Sequence, residues 1–445
     1  MKSISGFSKL SKTGKLRWVA ENFFKDPKLV ASELTSFWHG DNHQQKVFDD
    51  FSENTLSNYY MPYGVAPNFI INEKTYCIPM VIEESSVVAA AASSAKFWAT
   101  RGGFKAEIIG TTKIGQVHFT WKGSSEKLNA VFPDLKVTLH EESADLTKNM
   151  RKRGGGILNI DLIDMTHLEE NYYQLKVEFE TCDSMGANFI NSVLERFGQV
   201  LQTFMFSNSA MEGKERDVII IMAILSNYTP NCLVRAYVEC PIEELGTFDA
   251  GKTSAELFAY KFDKAVKIAN IDPYRATTHN KGIFNGIDAV VLATANDFRA
   301  VEACGHTYAS RDGQYRSLTK TSIENGIFKL WLDIPMAVGT VGGLTSLHPL
   351  AKRSLEMLGN PSAKDLMSII ATVGLAQTFA AVKSLTTTGI QKGHMKMHLM
   401  NILNHLEATE KEVNQAVEYF KERIVSFTSV REFLNNSREV VVINN

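Results

Sequence analysis

The spacing of apolar residues changes period twice between residues 172 and 225, and few folds accommodate that change. Leu175, Val177 and Phe179 alternate with Lys176, Glu178 and Glu180, the period-two pattern of a strand with one buried face. Phe189, Ile190, Val193, Leu194, Phe197, Val200, Leu201 and Phe204 then recur at three- and four-residue spacing, which gathers them on one side of a helix. Val218–Leu225 reads as a further strand, and Ile157–Leu162 as another ahead of them. Strands before and after an amphipathic helix predict a compact α+β module of split βαβ type, inserted into the chain over residues 108–219.

The flanking sequence reads as one larger mixed α/β domain in two parts, 1–107 and 220–387. Residues 15–60 predict short amphipathic helices broken near Pro27 and at His39 and Gly40. An extended run is expected over Phe69–Met80, then a small-residue helix from near Glu84 to Trp98, ended by the Arg101–Gly103 turn. Gly-rich turns are expected at Gly282–Gly286 and Gly339–Gly343. From 388 to 445 the pattern is helical and charged on one face, as a separate C-terminal flap would be.

Composition narrows the function classes. The formal net charge is −2 without any long single-sign run, which removes the footprint of a nucleic-acid or membrane-surface binder and favours a small ligand. Five scattered cysteines without a CxxC pair argue against a disulfide framework or zinc ribbon and fit a reducing compartment. The N-terminal residues lack an apolar leader core, and the longest uninterrupted apolar stretch, Val218–Leu225, falls far short of the roughly 20 residues a spanning helix needs. A cytoplasmic protein is the expectation.

Several segments carry possible chemistry. Gly246–Thr253 satisfies the phosphate-loop pattern letter for letter, which keeps a nucleotide hydrolase as the alternative reading. Against it, Pro241–Leu245 separate the motif from the strand-like Leu233–Val238, and Asp249 would sit among amides meant for phosphate; a helix start capped by Thr253 or Ser254 is the structural explanation. His394, His398 and His405 share a helical face, yet His394 and His405 would be roughly 16 Å apart along the axis, so no metal is expected. Asp183, Ser184, Met185, Gly186, Ala187 and Asn188 lie where the strand ending near Thr181 turns into the amphipathic helix, a ready anion site unless Asp183 or Ser184 simply caps it. Asp272–Gly286 packs Arg275, His279, Lys281 and Asn285 into one stretch: a confined lysine can polarise a carbonyl, an arginine can clamp a carboxylate, and Asp297 downstream is a candidate partner for Lys281. Glu83 and Glu84 precede the Val87–Trp98 helix as caps or, with a second acid beside Asp297, as carboxyls with separated pKa values.

Taken together, Ile82–Ala90, Asp183–Asn188, His279–Asn285, Thr294–Asp297 and Gly393–Met395 closely resemble 3-hydroxy-3-methylglutaryl-coenzyme A reductase of the soluble, bacterial (class II) type, over nearly the whole chain from Glu53 to about His398. The resemblance implies an oxidoreductase that interconverts the coenzyme A thioester with mevalonate and free coenzyme A, through a hemithioacetal and an aldehyde, at the expense of two equivalents of NADPH or NADH. By motif it implies Lys281 as oxyanion stabiliser, Glu84 as proton donor, Asp297 as the acid tuning both and His394 as the acid that protonates the departing thiolate. Ser86, Arg275, Asn285 and Asn227 are similar to substrate-holding positions, and Asp183, Met185, Gly186, Ala187 and Asn188 to the cofactor-binding turn of a ferredoxin-like insertion. It further implies a homodimer with active sites at the subunit interface and a mobile C-terminal flap. Lys148, Arg151, Lys152 and Arg153 give NADPH a slight preference. Ser85, Ala295 and Leu344 depart from the family pattern, where proline or glycine is usual, and bear on fine geometry and rate.

Overall fold

The computed structural model describes residues 3–387, 389, 399–421 and 423–443. Its strands are β1 (Tyr63–Ile71), β2 (Lys74–Val81), β3 (Lys105–Ile108), β4 (Lys113–Trp121), β5 (Gly156–Asp164), β6 (Tyr172–Glu180), β7 (Val218–Leu225), β8 (Leu233–Pro241), β9 (Thr319–Glu324) and β10 (Ile327–Pro335). Among the described residues they form a β1–β2 hairpin, a sheet in the order β3-β8-β10-β9 and a sheet in the order β5-β6-β4-β7. All neighbours are antiparallel.

The β5-β6-β4-β7 sheet has β-α-β-β-α-β connectivity, with Ser125–Glu142 between β4 and β5 and Ala187–Ser207 between β6 and β7. Val117, Phe119 and Trp121 on β4 meet Leu175, Val177 and Phe179 on β6 and the apolar side of Ala187–Ser207 in a core of their own. The period change in the sequence is thus a sheet face laid against a helix face. The strands at Ile157–Leu162, Leu175–Phe179 and Val218–Leu225 form as expected. β7 is the edge, so Ile219, Ile221, Met222 and Ile224 stay exposed.

A second core surrounds Ala363–Thr386, a helix of 24 residues. It is apolar and long enough to cross a membrane, but 78% of its most apolar window is buried inside the fold, which identifies it as a core helix. The uninterrupted apolar stretches read in the sequence missed it, because Thr372, Gln377 and Thr378 interrupt the run. It packs on Pro273–Ala293, and Ser94 Oγ of the Val87–Ala99 helix donates to its Ala376 carbonyl at 2.6 Å. These three helices converge, and their convergence positions the site.

Two sequence expectations need correction here. Gly282–Gly286 is not a turn: both glycines lie inside Pro273–Ala293, which starts at Pro273 with Asp272 as N-cap. Gly286 serves packing, since a Cβ there would lie 2.8 Å from the Val373 carbonyl. The Phe69–Met80 run is not one strand but the two arms of a hairpin, reversed at Asn72 and Glu73, both with positive φ. That turn lacks the glycine that usually marks it.

N-terminal helices Lys12–Phe23, Pro27–Ser36 and Asn42–Asp49 form where the breakers predicted, capped by Ser11, Asp26 and Asp41. At the other end, residues 399–405, Glu410–Tyr419 and Phe427–Ile443 are helical and share a third small core around Leu403, Phe420 and Leu434.

Candidate active site

Glu84 sits in the short loop between β2 and the Val87–Ala99 helix, and Lys281 and Asn285 lie one turn apart on Pro273–Ala293. Side chains at that spacing project from the same side of a helix. Lys281 Nζ donates to Glu84 Oε2 at 2.7 Å, and Asn285 Nδ2 reaches the same oxygen at 3.4 Å. The lysine remains 60% and the glutamate 40% exposed, so the pair borders open space where a ligand can approach. Neither Glu83 nor Glu84 caps the following helix. Its N-cap is Ser86 in the left-handed region (φ 73°), whose hydroxyl donates to the Ser85 carbonyl.

Asp297 is not the partner of Lys281 within the chain. Its Oδ1 accepts the Arg299 and Ala300 amides at 3.0 and 3.2 Å, capping Phe298–Ala309, while Oδ2 pairs with Arg299 at 2.9 Å. Ala295, two residues earlier, has φ 51°, a conformation that glycine adopts with less strain. Asn296 accepts the Gly339 amide at 2.8 Å and so ties the Gly339–Gly343 loop to this corner. Arg275 is half-buried, and burial pushes its pKa down; among the described residues no hydrogen bond or ion pair joins it to the Glu84–Lys281 pair.

A half-buried carboxyl with a raised pKa lies on the Lys281 helix, at Asp288. Two turns beyond Lys281, burial first and then Glu302 and Glu83 push its pKa up to about 8. No signal in the sequence separates Asp288 from an ordinary helical aspartate. Two turns before it, His279 is buried on Thr319 Oγ1 at 2.6 Å, and burial with the Arg275 charge takes its pKa down to about 3.

The Asp183–Asn188 turn leaves β6 and enters Ala187–Ser207. Gly186 is the N-cap at φ 93°, with no side-chain hydrogen bond to the helix end, so neither Asp183 nor Ser184 caps it. Instead Asp183 faces the larger core: its Oδ1 accepts the Ala363 amide at 2.8 Å and its carbonyl accepts the Thr340 amide at 2.9 Å. A Cβ on Gly339 would fall 2.5 Å from the Met185 nitrogen, so the loops touch backbone to backbone. A small cavity beside the turn is lined by Lys113, Met185, Asn227, Thr229, Ala300 and Ala337 among others, which brings Met185 and Asn227 to one place next to the Asp297 helix. Lys113, absent from the sequence reading, is buried with its ammonium on Thr181 Oγ1 and the Ser184 carbonyl.

The phosphate-loop match dissolves in three dimensions. Phe248 and Thr253 exchange backbone hydrogen bonds around Asp249 and Ala250, both with positive φ, so the segment is a tight hairpin whose amides bond within it. The Ile242–Leu245 turn separates it from β8, and Ser254 caps Ala255–Ile271. His394 and His398 lie outside the described residues, and His405 packs on Phe427 at 5.5 Å.

The mixed α/β scaffold thus presents an exposed lysine–carboxylate pair and, separately, a glycine-started helix end without a side-chain cap. Residues 15–399 match the family described as hydroxymethylglutaryl-coenzyme A reductase. The chain is 35% identical over 418 residues to 3-hydroxy-3-methylglutaryl-coenzyme A reductase of Archaeoglobus fulgidus, covering 93% of this chain and 90% of the relative. It is 32% identical over 410 residues to the probable enzyme of Borreliella burgdorferi, covering 92% and 90%. A solved class II enzyme from Streptococcus pneumoniae, bound to NADPH in open conformations, superposes with a TM-score of 0.70 at 34% identity, covering 92% of this chain and 99% of that one. The chain belongs to the hydroxymethylglutaryl-coenzyme A reductase family, a family of oxidoreductases.

Proposed function

We propose that this chain interconverts 3-hydroxy-3-methylglutaryl-coenzyme A with mevalonate and coenzyme A, using two equivalents of NADPH or NADH. The observation that carries the residue roles is the Lys281 Nζ to Glu84 Oε2 hydrogen bond of 2.7 Å. In this reading the ammonium stabilises the oxygen that gains charge as the thioester carbonyl, and later the aldehyde, is reduced. Glu84, bonded to the same ammonium, holds the proton that the carbonyl oxygen of the aldehyde receives. Asn285 keeps the carboxylate oriented, and Ser86 and Arg275 hold the substrate's acid end. Asp297 tunes the lysine and the glutamate in a homodimer whose active sites lie at the subunit interface; within one chain it pairs with Arg299. His394 protonates the departing thiolate from the C-terminal flap, 388–445.

The ferredoxin-like module at 108–219, with Asp183, Met185, Gly186, Ala187 and Asn188, is the proposed dinucleotide domain. Gly186 supports this, since its positive φ opens a 21-residue helix without a side-chain cap, and such an end attracts phosphate. The bound cofactor supplies the reducing equivalents. Cys182 Sγ, in the turn, donates to the Arg153 carbonyl at 3.3 Å, which brings the end of the Ala144–Lys152 helix beside the turn and supports a slight preference for NADPH. A metal has no part in this scheme, and the compartment is the cytoplasm.

Thioester-dependent oxidation of NADPH or NADH by the purified chain tests the reading, with the reverse reaction from mevalonate as its complement. Lys281→Ala is expected to lose about a hundred- to thousandfold in kcat. A chain inactive with both cofactors in both directions would end the proposal.

A further inference from the structure

We propose that Lys113 is a positioning residue for the dinucleotide, fixing the Thr181–Gly186 turn from beneath. This rests on the reading that the turn holds the cofactor. Lys113 opens β4, one of the two inner strands of its sheet, opposite Phe179, and is only 4% exposed. An apolar side chain would fill that position without cost, whereas a buried ammonium is expensive unless paired and hydrogen-bonded. Both of its side-chain hydrogen bonds lead to the turn. Lys113 Nζ donates to Thr181 Oγ1 and, at 2.8 Å, to the Ser184 carbonyl; Thr181 Oγ1 in turn donates to that carbonyl at 2.6 Å.

The turn is closed further by the Ser184 amide on the Thr181 carbonyl at 3.0 Å and by the Cys182 amide on Glu180 Oε1 at 2.7 Å. Gly186 follows, with a Cβ position only 2.5 Å from Thr181 Cγ2, so the threonine held by Lys113 also sets where the helix begins. Burial lowers the lysine's pKa, and the nearby Glu180 and Asp183 carboxylates oppose that shift. A positive charge beneath a helix N-terminus adds to the field that draws an anionic ligand there.

The experiment compares Lys113→Met, Thr181→Val and Gly186→Ala by NADPH titration and steady-state kinetics, with circular dichroism as a check on folding. Lys113→Met removes the charge at nearly constant volume and is expected to raise the KM and Kd for NADPH about tenfold while kcat changes much less, the split expected when a ligand's seat shifts but the reacting groups stay in place. Thr181→Val breaks the same triangle from its other corner and should give the same split; it carries the test if Lys113→Met does not fold. The double variant should cost little more than either single one. An unchanged NADPH KM in folded Lys113→Met, or in folded Thr181→Val where that variant carries the test, overturns the inference when Gly186→Ala still weakens NADPH. An unchanged KM in Gly186→Ala as well overturns the reading of the turn itself.

Discussion

Gly286 and Gly374 stand on facing helices where Pro273–Ala293 crosses Ala363–Thr386, and neither position has room for a methyl group. A Cβ on Gly286 would lie 2.8 Å from the Val373 carbonyl and 2.9 Å from Gln377 Cβ; one on Gly374 would lie 2.8 Å from Ile287 Cγ1. Because Asn285 immediately precedes Gly286 and Lys281 lies little more than a turn away, this contact sets how deep the site-bearing helix sits. Gly286→Ala is expected to destabilise the fold by about 1–3 kcal/mol through overpacking. It should also lower kcat more than it raises KM, because small displacements of reacting groups are costly. Chemical denaturation and steady-state kinetics measure both; a variant of parental stability and rate would show that the helices can part freely.

The carboxyl of Asp288 predicts a pH dependence of stability. In the unfolded chain it ionises near its ordinary value of 3.8, whereas in the folded protein burial, Glu302 and Glu83 hold its proton up to about pH 8. Between those values the folded state binds the extra proton, so this group's contribution is full at acid pH and declines as pH rises through the window. Asp288→Asn, permanently neutral, should flatten the fall in Tm as pH rises from 3.8 to about 8. An identical slope in parent and variant would refute the assignment.

His279 works in the opposite direction. Its folded pKa of about 3 lies below the ordinary 6.5, so its contribution is present above pH 6.5 and is lost as the pH falls toward 3. Acid unfolding of the parent should therefore include a proton uptake that His279→Gln lacks, measurable as a shallower loss of stability below pH 6.

Lys252 separates the enzyme reading from the nucleotide-hydrolase one. It is exposed on the Phe248–Thr253 hairpin, whose amides bond within the loop. Lys252→Ala should leave reductase kinetics unchanged and stability within about 0.5 kcal/mol. Loss of nucleotide binding in this variant, with Lys281→Ala still active, would reverse the assignment.

What the sequence reveals follows from how local each cause is. β6 and the Ala187–Ser207 helix are legible because their periodicity records one buried face each, and β7 because it is a short continuous apolar run. The break at Asn72 and Glu73 is hidden because their positive φ is imposed by the strands they join. Gly282 and Gly286 mislead in the other direction: glycine there reflects a neighbour's closeness rather than a reversal of the chain. Glu84 and Lys281, 197 residues apart, are nominated by residue type and family resemblance, but their pairing depends on three helices converging. Lys113 owes its character to burial, and Asp288 to burial with Glu302 and Glu83 beside it, surroundings that no local pattern announces.

Asp183 joins the two larger cores through both its side chain and its backbone. Its carboxylate holds the first amide of Ala363–Thr386, and its carbonyl holds the loop after β10. If the β5-β6-β4-β7 sheet and its helices rock as ligands come and go, this latch must either travel with them or let go of the core helix. Traffic at the turn would then be felt as fraying or tightening at the start of the longest helix, which connects events at the protein's edge to its most protected interior.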